Sequence, residues 1–181
     1  MKLYRFSPIQ SEAELIEAIR YLHISCNTLC KDALGEWLPN AGNLGIFCHY
    51  DEEYAALIQI RDNLVYPSDN PLQKYFELKN PITIESTQDA PAATYTHLYI
   101  RKPDIYRAQV GDIDFYLTQQ TYDVLKQRLL DGELIPGARV FPRNDLDMIE
   151  LYNPDIDAFG YVSTNEMSQK VHIKLSEETN L

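Results

Sequence analysis

Residues 94–117 read TYTHLYIRKPDIYRAQVGDIDFYL, and both ends of this stretch alternate between apolar and polar side chains. Successive strand side chains point to opposite faces. In the first half Thr96, Leu98 and Ile100 fall on one side, with Tyr95, His97, Tyr99 and Arg101 on the other. In the second half Ile113, Phe115 and Leu117 oppose Asp112, Asp114 and Tyr116. The pattern predicts two strands, each with one face for a core and one that is polar and aromatic. If loop 102–111 closes them as an antiparallel hairpin, the register that pairs Arg101 with Asp112 also sets Tyr99 opposite Asp114 and His97 opposite Tyr116.

The flanking segments supply the core. Ser11 and Glu14 have the spacing of a capping box, and the stripe Leu15, Ile19, Leu22, Cys26, Leu29 and Ala33 predicts a helix that runs to Leu34 and stops at Gly35. A strand is expected at 2–6 before this helix, and another at 44–50, where Leu44, Ile46 and Cys48 share a face. Asp51 caps a second helix over 51–64, and Thr118 a third that ends at Gly132. Two strands are expected around the Asn80-Pro81 turn, two more around Asn153-Pro154, a short one at 137–141 and a last one at 171–175. No internal repeat is evident in the sequence.

The order of elements does not repeat βαβ regularly. It predicts one α+β domain over residues 1–181, a mostly antiparallel sheet with about three helices packed on one face and the other face polar and aromatic. That second face would carry His97, Tyr99, Arg101, Asp112, Asp114, Tyr116 and His172, joined by Asp157, Phe159, Tyr161 and Lys174. Thirteen tyrosines in 181 residues is a high usage, and several fall in this set. A tyrosine offers a rigid apolar body with a hydrogen-bonding tip, which suits a binding surface.

Charge narrows the partners. With 16 basic and 27 acidic residues the net charge is −11, so binding to a nucleic-acid backbone, which needs clustered Lys and Arg, is not expected. No apolar run approaches the ~20 residues that span a bilayer, and the first residues lack the apolar core of a signal peptide, so a cytoplasmic protein without a membrane partner is expected. Cys26, Cys30 and Cys48 are an odd number without secretory context, which argues against a disulfide framework. With His23 and His49 they form the set from which a soft-metal site could be drawn, but an apolar helix stripe requires Cys26 as a core residue in any case.

The leading expectation is a binding or regulatory domain whose sheet face holds a small polar or anionic ligand, or a protein partner, with no cofactor. For an anion, Arg101 would be the fixed charge and His97 the group that gains charge as pH falls. The alternative is an enzyme. Asp112 and Asp114, Asp145 and Asp147, and Asp155 and Asp157 are carboxylate pairs two residues apart, a spacing that suits Mg²⁺ in phosphoryl or nucleotidyl transfer. GDIDF followed by DLDMIEL resembles the strand acids of polymerase-beta-type nucleotidyltransferases. That resemblance implies metal-bound carboxylates, although Tyr99-Ile100-Arg101-Lys102 stands where the family has its Gly-Ser pair. His97 in HLYI and His172 in HIKL resemble the paired histidines of two-histidine phosphoesterases, with Tyr99 and Lys174 where that family has Ser or Thr. G-x-S-x-G, Walker A and G-x-G-x-x-G are all absent.

Overall fold

The computed structural model describes residues 4–141 and 146–168. Local chemistry sets the helices. Ser11 has extended backbone and accepts a hydrogen bond from Glu14 N, while the Glu14 side chain accepts one from Ser11 N, closing the capping box at the start of α1, Glu12–Leu34. Gly35 ends it in the left-handed conformation, at φ 79°. Helix α2, Asp51–Leu64, has Tyr50 as its N-cap with no side-chain cap bond, so Asp51 opens the helix instead of capping it. Thr118 accepts from Thr121 N at the start of α3, Gln119–Leu130.

The strands are β1 (Asn40–Phe47), β2 (Phe76–Ile84), β3 (Ala93–Arg101), β4 (Gly111–Leu117), β5 (Ala138–Val140), β6 (Ile149–Asn153) and β7 (Ile156–Thr164). They form one sheet in the order β2-β3-β1-β4-β7-β6-β5. The fold is α+β, but the sheet is mixed. β1 runs parallel to β3 and β4 parallel to β7, while the other neighbours are antiparallel. The expected β3–β4 hairpin does not form, because β1 lies between the two strands and pairs with both. Nor are there two strands around Asn80-Pro81. β2 passes through as one edge strand whose register shifts between Glu77 and Ile82, and an edge can tolerate a proline that donates nothing. Residues 4–6 form no strand, residues 1–3 lie outside the described residues, and so does the strand expected at 171–175.

The pairing reveals a repeat that the sequence hides. β1, α2, β2 and β3 form one unit, with its first strand parallel to its last and its helix after the first strand. β4, α3, β5, β6 and β7 form a second unit by the same rule, and the two meet along the antiparallel β1–β4 pair. The long helix α1 packs against β4, β6 and β7 as well as β1, and so bridges both units.

One apolar core joins the three long helices to the sheet. Leu15, Ile19, Leu22 and Cys26 of α1, Leu57 of α2 and Tyr122 of α3 share it with Leu44, Ile46, Leu98, Ile100, Ile113, Phe115 and Val162. Tyr95, expected on the polar face, is part of this core, and its hydroxyl lies 2.8 Å from His23 Nδ1 on α1. The alternation of β3 therefore breaks between Tyr95 and Leu98. On the opposite face a short fourth helix, 165–168, brings the Ser168 carbonyl to within 3.1 Å of Asn43 Nδ2, so the helices are not all on one side. The N-terminal segment is fastened at the other end of β1. Ser7 Oγ lies 2.5 Å from His49 Nδ1, and the buried Glu53 carboxylate accepts from Ile9 N and His49 N.

Candidate functional site

Sheet register places the polar side chains in rows. Glu77, His97 and Asn43 are neighbours across β2, β3 and β1, and Asp114, Tyr161, Glu150 and Arg139 across β4, β7, β6 and β5. A hydrogen bond of 3.0 Å from Asn43 Nδ2 to Asp114 Oδ2 joins the two halves, so one polar row crosses all seven strands. The next row is Tyr99, Gly45, Asp112 and Phe159. Gly45 is small for a reason: a Cβ there would overlap Asp112 Oδ1, because the carboxylate lies over the glycine.

This face is not a wet surface. Asp112 is 5% exposed and Asp114 2%. Tyr75, from the loop before β2, is buried near both. It stands close enough for Asp114, Asp112, Tyr99 and Tyr161 to act on its phenol, and its ring centroid is 5.4 Å from that of Tyr99. Tyr75 and Met148 anchor a small second cluster with Tyr99, Phe141, Leu146 and Tyr161. Glu150, at the far end, is satisfied by Arg139 and by the Tyr161 hydroxyl at 3.1 Å.

Burial and like charge set the electrostatics. Burial pushes the Asp112 carboxyl well above the usual carboxylate range, the Asp114 charge pushes it further, and Arg101 and Arg107 offset part of this. Burial raises Asp114 to about 6, against the hydrogen bond from Asn43, which favours its ionised form. Asp112 Oδ1 is buried without a hydrogen-bond partner among the described residues. Neither arginine reaches ion-pair distance of it. The Arg101 guanidinium lies 4.9 Å from the Phe47 ring centroid, and that of Arg107 lies between Phe47 and Phe159, at 5.7 and 5.9 Å.

Tyr99, Asp112 and Asp114 are thus brought together, with His97 two strands away in the Asp114 row. The expected facing pairs fail because β1 intervenes. Arg101 stacks on Phe47 instead of pairing with Asp112, and Tyr116 neighbours Ser163 of β7 instead of His97. Burial lowers the His97 pKa, against the charge of Glu77, so its imidazole is neutral at neutral pH. His172, Lys174 and Asp145 lie outside the described residues. Asp157 is held by Arg5 and by Tyr21 of α1, and so is drawn off the polar face. Asn43, Gly45 and Tyr75 were not expected. The first two were legible as the residues alternating with Leu44 and Ile46, and Tyr75, within the segment 72–85 expected to form two strands, shares the parity of Glu77 but lies just before β2.

Of the carboxylates expected to hold Mg²⁺, Asp112 and Asp114 share a face of β4, Asp145 lies outside the described residues, and Asp147 and Asp155 do not join the pair. Asp147 accepts from Lys126 at 2.8 Å and Tyr122 at 2.7 Å on the α3 side, and Asp155 lies in the β6–β7 turn. Among the described residues no three His, Cys, Asp or Glu side chains converge as metal ligands, the His23 and cysteine set included. Burial raises all three cysteine thiols, Cys30 to about 12. Among the described residues no helix is long and apolar enough to cross a membrane.

The fold and site define an α+β protein with a buried acidic and aromatic sheet face. No protein-family profile matches the chain, and no curated protein matches it. Among solved structures, two variants of Streptomyces coelicolor methylmalonyl-CoA epimerase in complex with 2-nitronate-propionyl-CoA are 17% and 18% identical to it. Each alignment covers 70% of this chain and 98% of the epimerase, with a TM-score of 0.30, too low a similarity to bear on function.

Proposed function

We propose that this chain is a small-ligand-binding protein and that its ligand, a small polar molecule, sits on the sheet face formed by Tyr99, Asp112, Asp114 and Tyr161 beneath Tyr75. The observation that carries this reading is Asp112 Oδ1, a buried acceptor without a partner among the described residues. Leaving such a group unsatisfied costs about 1–3 kcal/mol, and more if it is charged. A fold keeps that cost where the group has work to do, and strongly shifted carboxyls gather at such places. The cost is also avoidable here, since an apolar residue at 112 would remove it. A ligand donor at Oδ1 would offset it. The phosphoryl-transfer alternative lacks support of this kind among the described residues, where Asp147 is held by Lys126 and Tyr122 and Asp155 lies in the β6–β7 turn.

A thermal-shift screen against amines, sugars, nucleotides and carboxylic acids tests the reading, run in parallel on the wild type and Asp112→Asn. A ligand at 100 times its Kd adds about 2.7 kcal/mol. For a chain of this size that is a rise of roughly 5–10 °C in Tm. At least one class should give this rise in the wild type and lose most of it in the variant. The reading fails if no class does so, or if every shift survives the substitution.

A further inference from the structure

We infer that the ligand presents a protonated nitrogen with N–H donors, a primary amine or guanidine on a short hydrocarbon body, to the carboxylates of Asp112 and Asp114. This rests on the ligand-binding reading above and names the chemistry of what binds.

Once ionised, a carboxylate only accepts hydrogen bonds, so the ionised form of Asp112 calls for a donor at Oδ1. Charge decides which kind of donor. Asp112 and Asp114 lie two residues apart on one face of β4, roughly 6.6 Å along the strand, and both are almost wholly buried. Ionising both would place two mutually repelling negative charges in surroundings of low dielectric, which is why both carboxyls are held above the usual range, and a hydroxyl donor would leave that repulsion untouched. An anion would add to it. A cation relieves both the missing hydrogen bond and the repulsion, and both carboxyls then bind it best in their ionised forms.

The groups facing the pair from neighbouring elements agree with this. Tyr99 of β3, Tyr161 of β7 and Tyr75 from the loop surround it, and Phe159 follows in the Asp112 row. The faces of such rings attract cations and pack against hydrocarbon. The Tyr161 hydroxyl is already committed to Glu150, so it does not supply the donor. Arg101 and Arg107 are the protein cations that act on Asp112, but the Arg101 guanidinium lies over Phe47, and that of Arg107 lies over Phe47 and Phe159 and pairs with Asp104 at 3.6 Å. Their field eases the ionisation of Asp112 without occupying its oxygen.

The experiment is isothermal titration calorimetry with three probes of matched shape, phenethylamine, phenethyl alcohol and phenylpropionate, supplemented by butylamine and agmatine. The proteins are the wild type, Asp112→Asn and Asp114→Asn. At least one amine should bind the wild type saturably, and the alcohol and the acid should bind ~10-fold or more weakly than it. Amine affinity should fall by ~10-fold or more between about pH 7.5 and about pH 5, as the carboxyls take up protons, and binding near pH 6 should release protons into the buffer. Both variants should lose ~10-fold or more in amine affinity while keeping the far-ultraviolet spectrum of the wild type. If one variant fails to fold, the other and the comparison of probes on the wild type still decide. Binding of the alcohol or the acid as tight as the amine, and dependent on Asp112, overturns the inference but leaves the ligand-binding reading standing. Amine binding that both variants retain overturns the inference as well. Failure of every amine while the wider screen finds an Asp112-dependent ligand overturns the inference alone, and failure of both overturns both.

Discussion

Gly45 and Asp112 are partners across the β1–β4 pair, and the Asp112 carboxylate lies over the position where a side chain on residue 45 would begin. The glycine fixes where the acid points. In Gly45→Ala the new methyl meets only the end of a rotatable side chain, so the carboxylate moves and the backbone stays. At Gly111 an added Cβ would instead overlap the backbone carbonyl of Gly45 and crowd Leu22 of α1. Gly111→Ala should therefore cost about 1–3 kcal/mol or more in urea denaturation. Gly45→Ala should cost less than Gly111→Ala and yet remove binding at the face. Equal losses of stability would show that position 45 is held by packing and not by the carboxylate.

Asp114 makes the stability depend on pH in the sense opposite to an ion-paired acid. Its folded pKa, about 6, lies above the unfolded value near 3.9, so the folded state holds the extra proton between them. The contribution to stability is complete below about pH 4 and is lost as pH rises through about 6. Asp114→Asn keeps an oxygen for Asn43 Nδ2 and removes the titration. The variant should lose less stability than the wild type between about pH 4 and about pH 7, as followed by denaturant midpoints. A parallel loss in both proteins would place the pH dependence elsewhere.

His49 acts in the other direction. Burial holds His49 below its ordinary pKa, although the Glu53 charge and nearby carbonyls favour the imidazolium. The stability due to neutral His49 is complete above about pH 6.5 and is lost as pH falls through its lower folded value. Glu53 is the fixed part, with one oxygen on Ile9 N and the other on His49 N. Glu53→Gln leaves one of these N–H groups without an acceptor and should cost about 1–3 kcal/mol, and Glu53→Ala should cost more. Equal stability of Glu53→Gln and the wild type would mean that water satisfies the amide.

Much of the local structure was legible because local chemistry decides it. Ser11, Glu14 and Gly35 set both ends of α1, and Asn153-Pro154 set the turn where Asn153 pairs with Ile156. What escaped was decided by partners far away in the chain. The alternation holds in β3 from His97 to Arg101, but nothing in β3 or β4 says that β1 enters between them, because a parallel β1–β3 pair has no turn to announce it. The repeat of the two units was hidden for the same reason. It is a repeat of pairing rule and not of residues.

The site was legible in its acids and not in its roof. Asp112, Asp114 and Tyr99 could be assigned to one face from their parity alone, as could Asn43 and Gly45 from β1. Parity reports the side of a sheet and says nothing of what packs on it, here Tyr75 against Tyr99 and Tyr161, and helix 165–168 through the Ser168 carbonyl on Asn43. Tyr95 failed the parity rule outright, because His23 on α1 offers its hydroxyl a buried partner.

Arg101 provides a test of the site's field that needs no ligand. It lies two residues beyond Tyr99 on β3, stacks on Phe47, and lowers the Asp112 pKa through space without touching the carboxyl. Arg101→Lys keeps the charge but loses the planar stack, and should cost about 0.5–1 kcal/mol. Arg101→Gln removes the charge, so ionised Asp112 loses a favourable interaction and its pKa should rise further. The carboxyl carbons of labelled aspartate, followed by NMR through a pH titration, report this directly. The upper titration step of the Asp112 and Asp114 pair should move up in Arg101→Gln and stay close to the wild type in Arg101→Lys. An unmoved step in Arg101→Gln would mean that the arginine's field does not reach Asp112, and Arg107 would then be the cation that offsets its burial.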